Sequence, residues 1–291
     1  DALPELGHGC GHNLIAMMSL GAAVAFSQSA PQDWGTTFFG CPAEETIGGK
    51  VYMAEAGLFK GYEAALIIHP GGENEVGGTS LATHPLEVTF HGRSCHIASL
   101  TDSGINALDC AVDLYQRVKD LKKTFPKGAI VGAIFTEAGT APNVVTPKAT
   151  IRMTVRGSTV DDLEGIILPA IKAAAQEIAA SYGAQVEMHH YEPLFKDMRQ
   201  DKKLLDLFKD VMTEFGEVPR ILPDDEADGS TDVGNVSYEV PTAQPTLQIG
   251  LGLEAHTPEF TCAAGSDYGL DQAIKGAKIM AVVALRYAMC K

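Results

Sequence analysis

The sequence predicts an α/β protein, a mostly parallel-sheet domain interrupted by an inserted β-α-β-β-α-β unit. Three observations lead there. Short apolar runs alternate with helical runs in the first 80 or so residues and resume near the end of the chain. After Pro85 the pattern changes to strict alternation in Leu86-Glu87-Val88-Thr89-Phe90. Two long amphipathic segments then separate further strand-like runs before residue 194.

Each element follows from its residues. Asn13 to Ser29 is apolar nearly all round, the pattern of a helix buried on every side. Thr36 to Cys41 reads as a strand, Gly48 to Leu58 as a helix and Ala64 to Ile68 as a strand. The insertion opens on the strand from Leu86. Ile105 to Lys122 follows as a helix, with Ala107, Leu108, Ala111, Val112, Leu114, Val118 and Leu121 at helical spacing. Ala129 to Glu137 and Val144 to Arg156 are strands, Val160 to Tyr182 a helix and Gln185 to His190 a closing strand. Such a unit holds its own core, which sets a second domain at 84–194 and a discontinuous first domain at 1–83 and 195–291. In the resumed domain Lys202 to Phe215 reads as a helix and Val218 to Asp228 as an acidic connection. Pro245 to Leu251 is a strand and Asp267 to Met289 a final helix.

Composition excludes several functions. The net charge of −15 argues against nucleic acid and anionic membrane surfaces as partners. No apolar run is long enough to span a membrane, and Leu14 to Phe26 lacks the length and basic flank of a signal peptide. Six scattered cysteines without close pairs suit a reducing, cytoplasmic location. The chain opens at Asp1 inside a motif-like stretch, so the beginning of the first domain is expected to be missing, an N-terminal truncation.

The residues able to bind metal share one kind of position, at or just beyond the end of a strand-like run. Cys10 and His12 follow Asp1-Ala2-Leu3-Pro4; Glu45 closes the run from Thr37; His69 ends Ala64 to Ile68; His256 follows Thr246 to Leu251. Ligands of open α/β sheets bind beyond the carboxyl ends of strands. Read singly, each has an ordinary structural explanation. Cys10-Gly11-His12 is a short motif, Glu44-Glu45 could be an acidic pair at a helix N-terminus, and His69 and His256 could be satisfied structural histidines. Together, thiol, carboxylate and three imidazoles exceed one tetrahedral shell and suit two ions. Adjacent carboxylates can divide labour, one on a cation and the other taking a proton from water.

These residues resemble a known family. Asp1-Ala2-Leu3-Pro4, Gly7-His8-Gly9-Cys10-Gly11-His12-Asn13, Pro42-Ala43-Glu44-Glu45, His69 and His256-Thr257 look like the dinuclear metallopeptidases of the aminoacylase and carboxypeptidase type, in the amidohydrolase subfamily. Gly229-Ser230-Thr231-Asp232-Val233-Gly234-Asn235-Val236-Ser237 resembles its p-aminobenzoyl-glutamate hydrolase and dipeptidase-like branch. The resemblance covers essentially the whole chain. It implies Cys10, His12, Glu45, His69 and His256 as metal ligands, Glu44 as general base and Asp1 as a residue orienting a ligand from behind. His91-Gly92-Arg93-Ser94-Cys95-His96 and Gly104-Ile105-Asn106-Ala107-Leu108-Asp109 resemble the family's lid and dimerisation domain. This implies a homodimer in which His96 reaches the partner's site and stabilises the oxyanion. Asn143 and Arg156 match polar lid residues that contact substrate. Two departures stand out: the family usually has a proline near Thr101, and Asn13 replaces a frequent aspartate.

The resulting expectation is amide hydrolysis with two divalent ions, zinc or manganese, acting on a small N-acyl amino acid, aminobenzoyl-glutamate or a dipeptide. Two alternatives stand beside it, a non-catalytic dimeric relative and a thiol hydrolase with Cys10 as nucleophile.

Overall fold

The computed structural model describes residues 2–98, 104–227 and 229–290. Asp1 and the loop at Thr101 lie outside the described residues. By its internal contacts the chain forms two compact units, Asp1–Ser80 with Met198–Lys291, and Leu81–Asp197.

The first unit opens with helix α1 (His12–Ser29) and helix α2 (Gly49–Glu55), then strands β1 (Ala65–Leu66), β2 (His69–Gly71) and β3 (Glu75–Thr79). The all-round apolar pattern of α1 does not produce all-round burial. Leu14, Met18, Ala22 and Phe26 are buried, but Met17, Leu20 and Val24 are exposed on the other side. The buried stripe follows the i, i+4 repeat that one packing partner requires. No strand forms over Thr36 to Cys41. β-propensity needs a neighbouring ladder to become a strand. Here the segment is held by side chains instead: Phe39 packs on Phe59 and Tyr62 at ring distances of 5.0 and 5.4 Å, and Tyr62 donates to Thr37 Oγ1 at 3.0 Å.

The second unit contains β4 (Ala82–Thr83), β5 (Leu86–His91), helix α3 (Ala107–Leu121), β6 (Ile130–Glu137), β7 (Lys148–Gly157), helices α4 (Val160–Asp162) and α5 (Leu168–Tyr182), and β8 (Gln185–His190). Its sheet runs β8-β5-β7-β6, every pair antiparallel, with β4 also on β7. The period-two pattern acts directly: Ala149, Ile151, Met153 and Val155 of β7 and Leu86, Val88 and Phe90 of β5 are all fully buried. Leu114 of α3 and Ile171 of α5 close the same core. Full burial of each such aliphatic side chain contributes about 1.5–3 kcal/mol. Asn106 caps α3 by accepting from Leu108 N–H at 3.1 Å. Between α4 and α5, Leu163–Ile167 forms a π turn, closed by Leu168 N–H on the Leu163 carbonyl. Pro169 has no N–H to continue the regular ladder at that point.

The first unit then resumes with α6 (Lys202–Glu214), β9 (Arg220–Ala227), α7 (Val233–Ser237), β10 (Thr242–Ala243), β11 (Thr246–Gln248), α8 (Pro258–Ala264) and α9 (Asp267–Met289). The acidic stretch read as a connection is a strand over Arg220–Ala227, parallel to β3. Arg220, facing Glu75 in the ladder, forms ion pairs with Glu75 and Glu226 that offset the acidic character. The sheets of this unit are mixed. β2 and β11 are parallel, as are β3 and β9 and the short β1–β10 pair, while β11 and β3 are antiparallel. Leu14 and Met18 of α1, Phe208 of α6, Leu247 of β11 and Ile279 and Val283 of α9 fill the core. Gly276 of α9 permits close approach, because a Cβ there would meet the Met18 sulfur at 2.4 Å.

Candidate metal centre

Loops, rather than strand ends, carry most of the site. Cys10 precedes α1, and His12 is its first residue. Gly11 between them has φ +69°, and a Cβ there would sit 2.5 Å from Pro70 Cγ. The left-handed turn at glycine therefore lets the thiol and imidazole flank one tight bend. Glu44 and Glu45 lie in a turn before α2, behind Ala43 in the left-handed region at φ 60°. The N–H groups of Ile47 and Gly48 donate back to the Ala43 carbonyl at 3.1 and 2.8 Å and close that turn. His69 opens β2 rather than closing the preceding strand, with its N–H on the Pro245 carbonyl at 3.0 Å. His256, also left-handed at φ 64°, is tied by its N–H to the Gly9 carbonyl at 2.8 Å. Non-glycine residues in this region concentrate at functional sites.

These segments bring six side chains together. Three sets of ligand atoms lie within 4.8 Å of one another: Cys10, His12 and His69; Cys10, Glu45 and His256; and His12, Glu44 and Glu45. Cys10 Sγ is 3.5 Å from His69 Nε2. His12 Nε2 lies 3.8 Å from both Glu44 Oε2 and Glu45 Oε1, and His256 Nε2 lies 3.4 Å from Glu45 Oε1. His69 Nδ1 sits 2.7 Å from the Pro70 carbonyl, which can only accept, so Nδ1 carries the proton and Nε2 turns a lone pair toward Cys10.

The electrostatics match a cation-binding cluster. Burial, aided by the neighbouring His69, lowers His12 to about 3, so its imidazole is neutral and its lone pair is available. Burial pushes the Cys10 thiol up to about 12, and Glu45 and Glu44 add to the rise. Burial likewise raises Glu44 from 4.5 to about 7, reinforced by Asp232 and opposed by Lys50 and Thr231. Two carboxylates and a thiol crowd together, while the Lys50 ammonium is already 2.8 Å from Asp232. Sulfur, imidazole and carboxylate donors in overlapping triads form divalent-metal sites, and these residues fit a pair of divalent ions. The same electrostatics oppose a free Cys10 nucleophile, which needs a depressed pKa and a cationic neighbour.

The remaining expected site residues belong to the second unit. His96 forms an isolated bridge with Val144, and its Nδ1 accepts Ala98 N–H at 3.2 Å. The Asn143 carbonyl accepts Ile97 N–H at 3.0 Å. Arg156 lies in β7, paired with Thr83 and Ile130. Asn13 donates to the Ala264 carbonyl at 2.9 Å, a structural contact.

Sequence reasoning missed three residues beside Glu44. Thr231 donates to Glu44 Oε1 at 3.0 Å. Fully buried Asp232 accepts the Lys50 backbone N–H at 3.0 Å and Nζ at 2.8 Å. The Gly229–Ser237 motif marked that segment, but nothing in it pointed at a residue 187 positions away.

The model of Peptidase family M20/M25/M40 matches residues 2–286. A mouse Xaa-Arg dipeptidase is 32% identical over 293 residues, covering 98% of this chain and 68% of the relative. One of the subunits of the Escherichia coli p-aminobenzoyl-glutamate hydrolase is 33% identical over 167 residues, 56% of this chain and 35% of the relative. The crystal structure of a Bacillus subtilis protein, described as a dinuclear metal-binding peptidase of the M20 family, superposes with a TM-score of 0.66 at 21% identity. That match covers 96% of this chain and 74% of the other, a likeness of fold. The chain belongs to Peptidase family M20/M25/M40 and, with these relatives, is a hydrolase of amide bonds.

Proposed function

We propose that this protein cleaves the amide bond of a small N-acyl amino acid, aminobenzoyl-glutamate or a dipeptide at a two-metal centre. The observation that carries the reading is the convergence of six side chains into three overlapping ligand sets, with one of the six, Glu44, lifted to about 7. Cys10, His12, Glu45, His69 and His256 would hold the ions. Two divalent ions held there, zinc or manganese, would supply Lewis acidity toward the amide carbonyl and the attacking water. Glu44 takes the proton of that water and delivers it to the leaving amine, a task suited to a group titrating near neutrality. The relatives, a dipeptidase and an aminobenzoyl-glutamate hydrolase, support this substrate range.

The unit at residues 84–194 acts in this reading as a lid and dimerisation domain. With Nδ1 accepting from Ala98, His96 keeps its proton on Nε2 and can donate to an oxyanion in the partner's site. Asn143 and Arg156 would contact substrate. The edge strand β6 supports a homodimer, since Ile134 is 63% exposed and Ile130 and Phe135 are also exposed beside it. Six free cysteines support a reducing compartment such as the cytoplasm. Among the described residues no helix is long and apolar enough to cross a membrane.

Glu44→Gln tests the assignment. Metal content is expected to persist while kcat falls about 10²- to 10⁴-fold. Undiminished hydrolysis with metal bound would overturn it.

A further inference from the structure

We propose that Thr231 is a positioning residue that fixes the orientation of the Glu44 carboxylate. The proposal rests on Glu44 as the base.

The two oxygens of Glu44 have different surroundings. Oε1 accepts the Thr231 hydroxyl at 3.0 Å, and Oε2 lies 3.8 Å from His12 Nε2, on the side of the ligand cluster. A glutamate side chain has three rotatable bonds, and its terminal torsion is broad. A base must keep one lone pair aimed at the water. One hydrogen bond to the remote oxygen removes that torsional freedom and leaves the other oxygen facing the reaction. Without it, Glu44 could turn beside Glu45 and become a further cation ligand instead of a base.

Thr231 is itself held. Its Oγ1 accepts Val233 N–H at 3.4 Å, so the hydroxyl proton is directed at Glu44. The next residue, Asp232, is fully buried and clamps both the backbone N–H and the Nζ of Lys50. Lys50 lies in α2, the helix that follows the Glu44-Glu45 turn. The segment carrying the hydroxyl and the turn carrying the carboxylate are thus locked together by a buried charge pair. A buried pair of this kind is costly to break and serves to define geometry.

The test compares Thr231→Val and Thr231→Ser in the full chain, each also combined with Glu44→Gln. Valine keeps the shape and removes the hydroxyl; serine restores it. The valine variant is expected to lose about tenfold in kcat with KM and metal stoichiometry unchanged, and serine to recover to within about threefold. In the Glu44→Gln background the valine change is expected to have no further effect, because Thr231 acts only through that carboxylate. Where the valine variant does not fold, Thr231→Ala takes its place. Wild-type kcat in the valine variant, equal damage from serine, or an undiminished valine effect beside Glu44→Gln would each overturn the positioning role alone. A Glu44→Gln enzyme with the wild-type rate would overturn the base assignment and this role together.

Discussion

Cys10 Sγ and His69 Nε2 lie 3.5 Å apart, although 59 residues separate them in the chain. The His69 proton is committed to the Pro70 carbonyl, so Nε2 accepts from the Cys10 thiol, whose proton a bound cation would replace. Such a pair is favourable around a shared cation.

This relationship predicts how Cys10→Ser behaves. Replacing a soft thiolate by a hydroxyl weakens zinc more than manganese. Zinc affinity is expected to fall at least about 100-fold while manganese affinity falls about tenfold or less. Competition against a chromogenic chelator measures both. Equal losses for the two metals would contradict Cys10 as a ligand.

A second prediction concerns pH. Burial, with Asp232 reinforcing it, raises Glu44 to about 7, and a base acts only when deprotonated. The rate is therefore expected to fall as pH drops through the Glu44 pKa. Bound cations stabilise the carboxylate, so the acid limb of kcat/KM sits at or below about 7 and moves in Glu44→Asp. A flat acid limb down to pH of about 4 would count against Glu44 as the base.

A third prediction concerns stability away from the site. Glu217 accepts from Asn74 at 2.7 Å and Gln272 at 3.3 Å and pairs with Lys275. Burial tends to raise its pKa, but hydrogen bonds from Lys275, Asn74 and Gln272 outweigh that and hold it below 4.5. A depressed folded pKa stabilises the fold above 4.5 and loses that contribution as pH falls through the folded value. Glu217→Ala is expected to cost about 1–3 kcal/mol near neutral pH and to flatten the acid dependence. Denaturant unfolding at several pH values checks both.

A fourth prediction tests the bend between Cys10 and His12. Gly11→Ala places a Cβ 2.5 Å from Pro70 Cγ at φ +69°. The expected cost is about 1–3 kcal/mol, with weakened metal binding because both flanking ligands move. Unfolding and metal titration of the variant report each part; unchanged values in both would remove the argument for a strained turn.

The elements legible in the sequence are those whose pattern coincides with their packing. Ala149, Ile151, Met153 and Val155 alternate and are buried, and α9 runs from Asp267 to Met289 as its apolar spacing indicates. Legibility fails where a neighbour decides. β9 is an acidic strand made tolerable by Arg220, and β3 contains two glycines, Gly77 and Gly78. Thr36 to Cys41 has strand-forming residues but no ladder among the described residues. The six side chains of the site were readable as a set because their chemistry is unusual in combination. Their support was not, since Thr231, Asp232 and Lys50 are common residue types whose roles arise only from contacts across 182 and 187 positions.

The central claim is a two-metal amide hydrolase, and chelation tests it most directly. Dipeptides, N-acetyl amino acids and aminobenzoyl-glutamate are offered to the protein before EDTA treatment, after it, and after adding back counted zinc or manganese. The two-metal reading predicts hydrolysis of at least one substrate, its loss on chelation, and its return as the metal content approaches two per chain. Full hydrolysis by protein shown to be metal-free would contradict it.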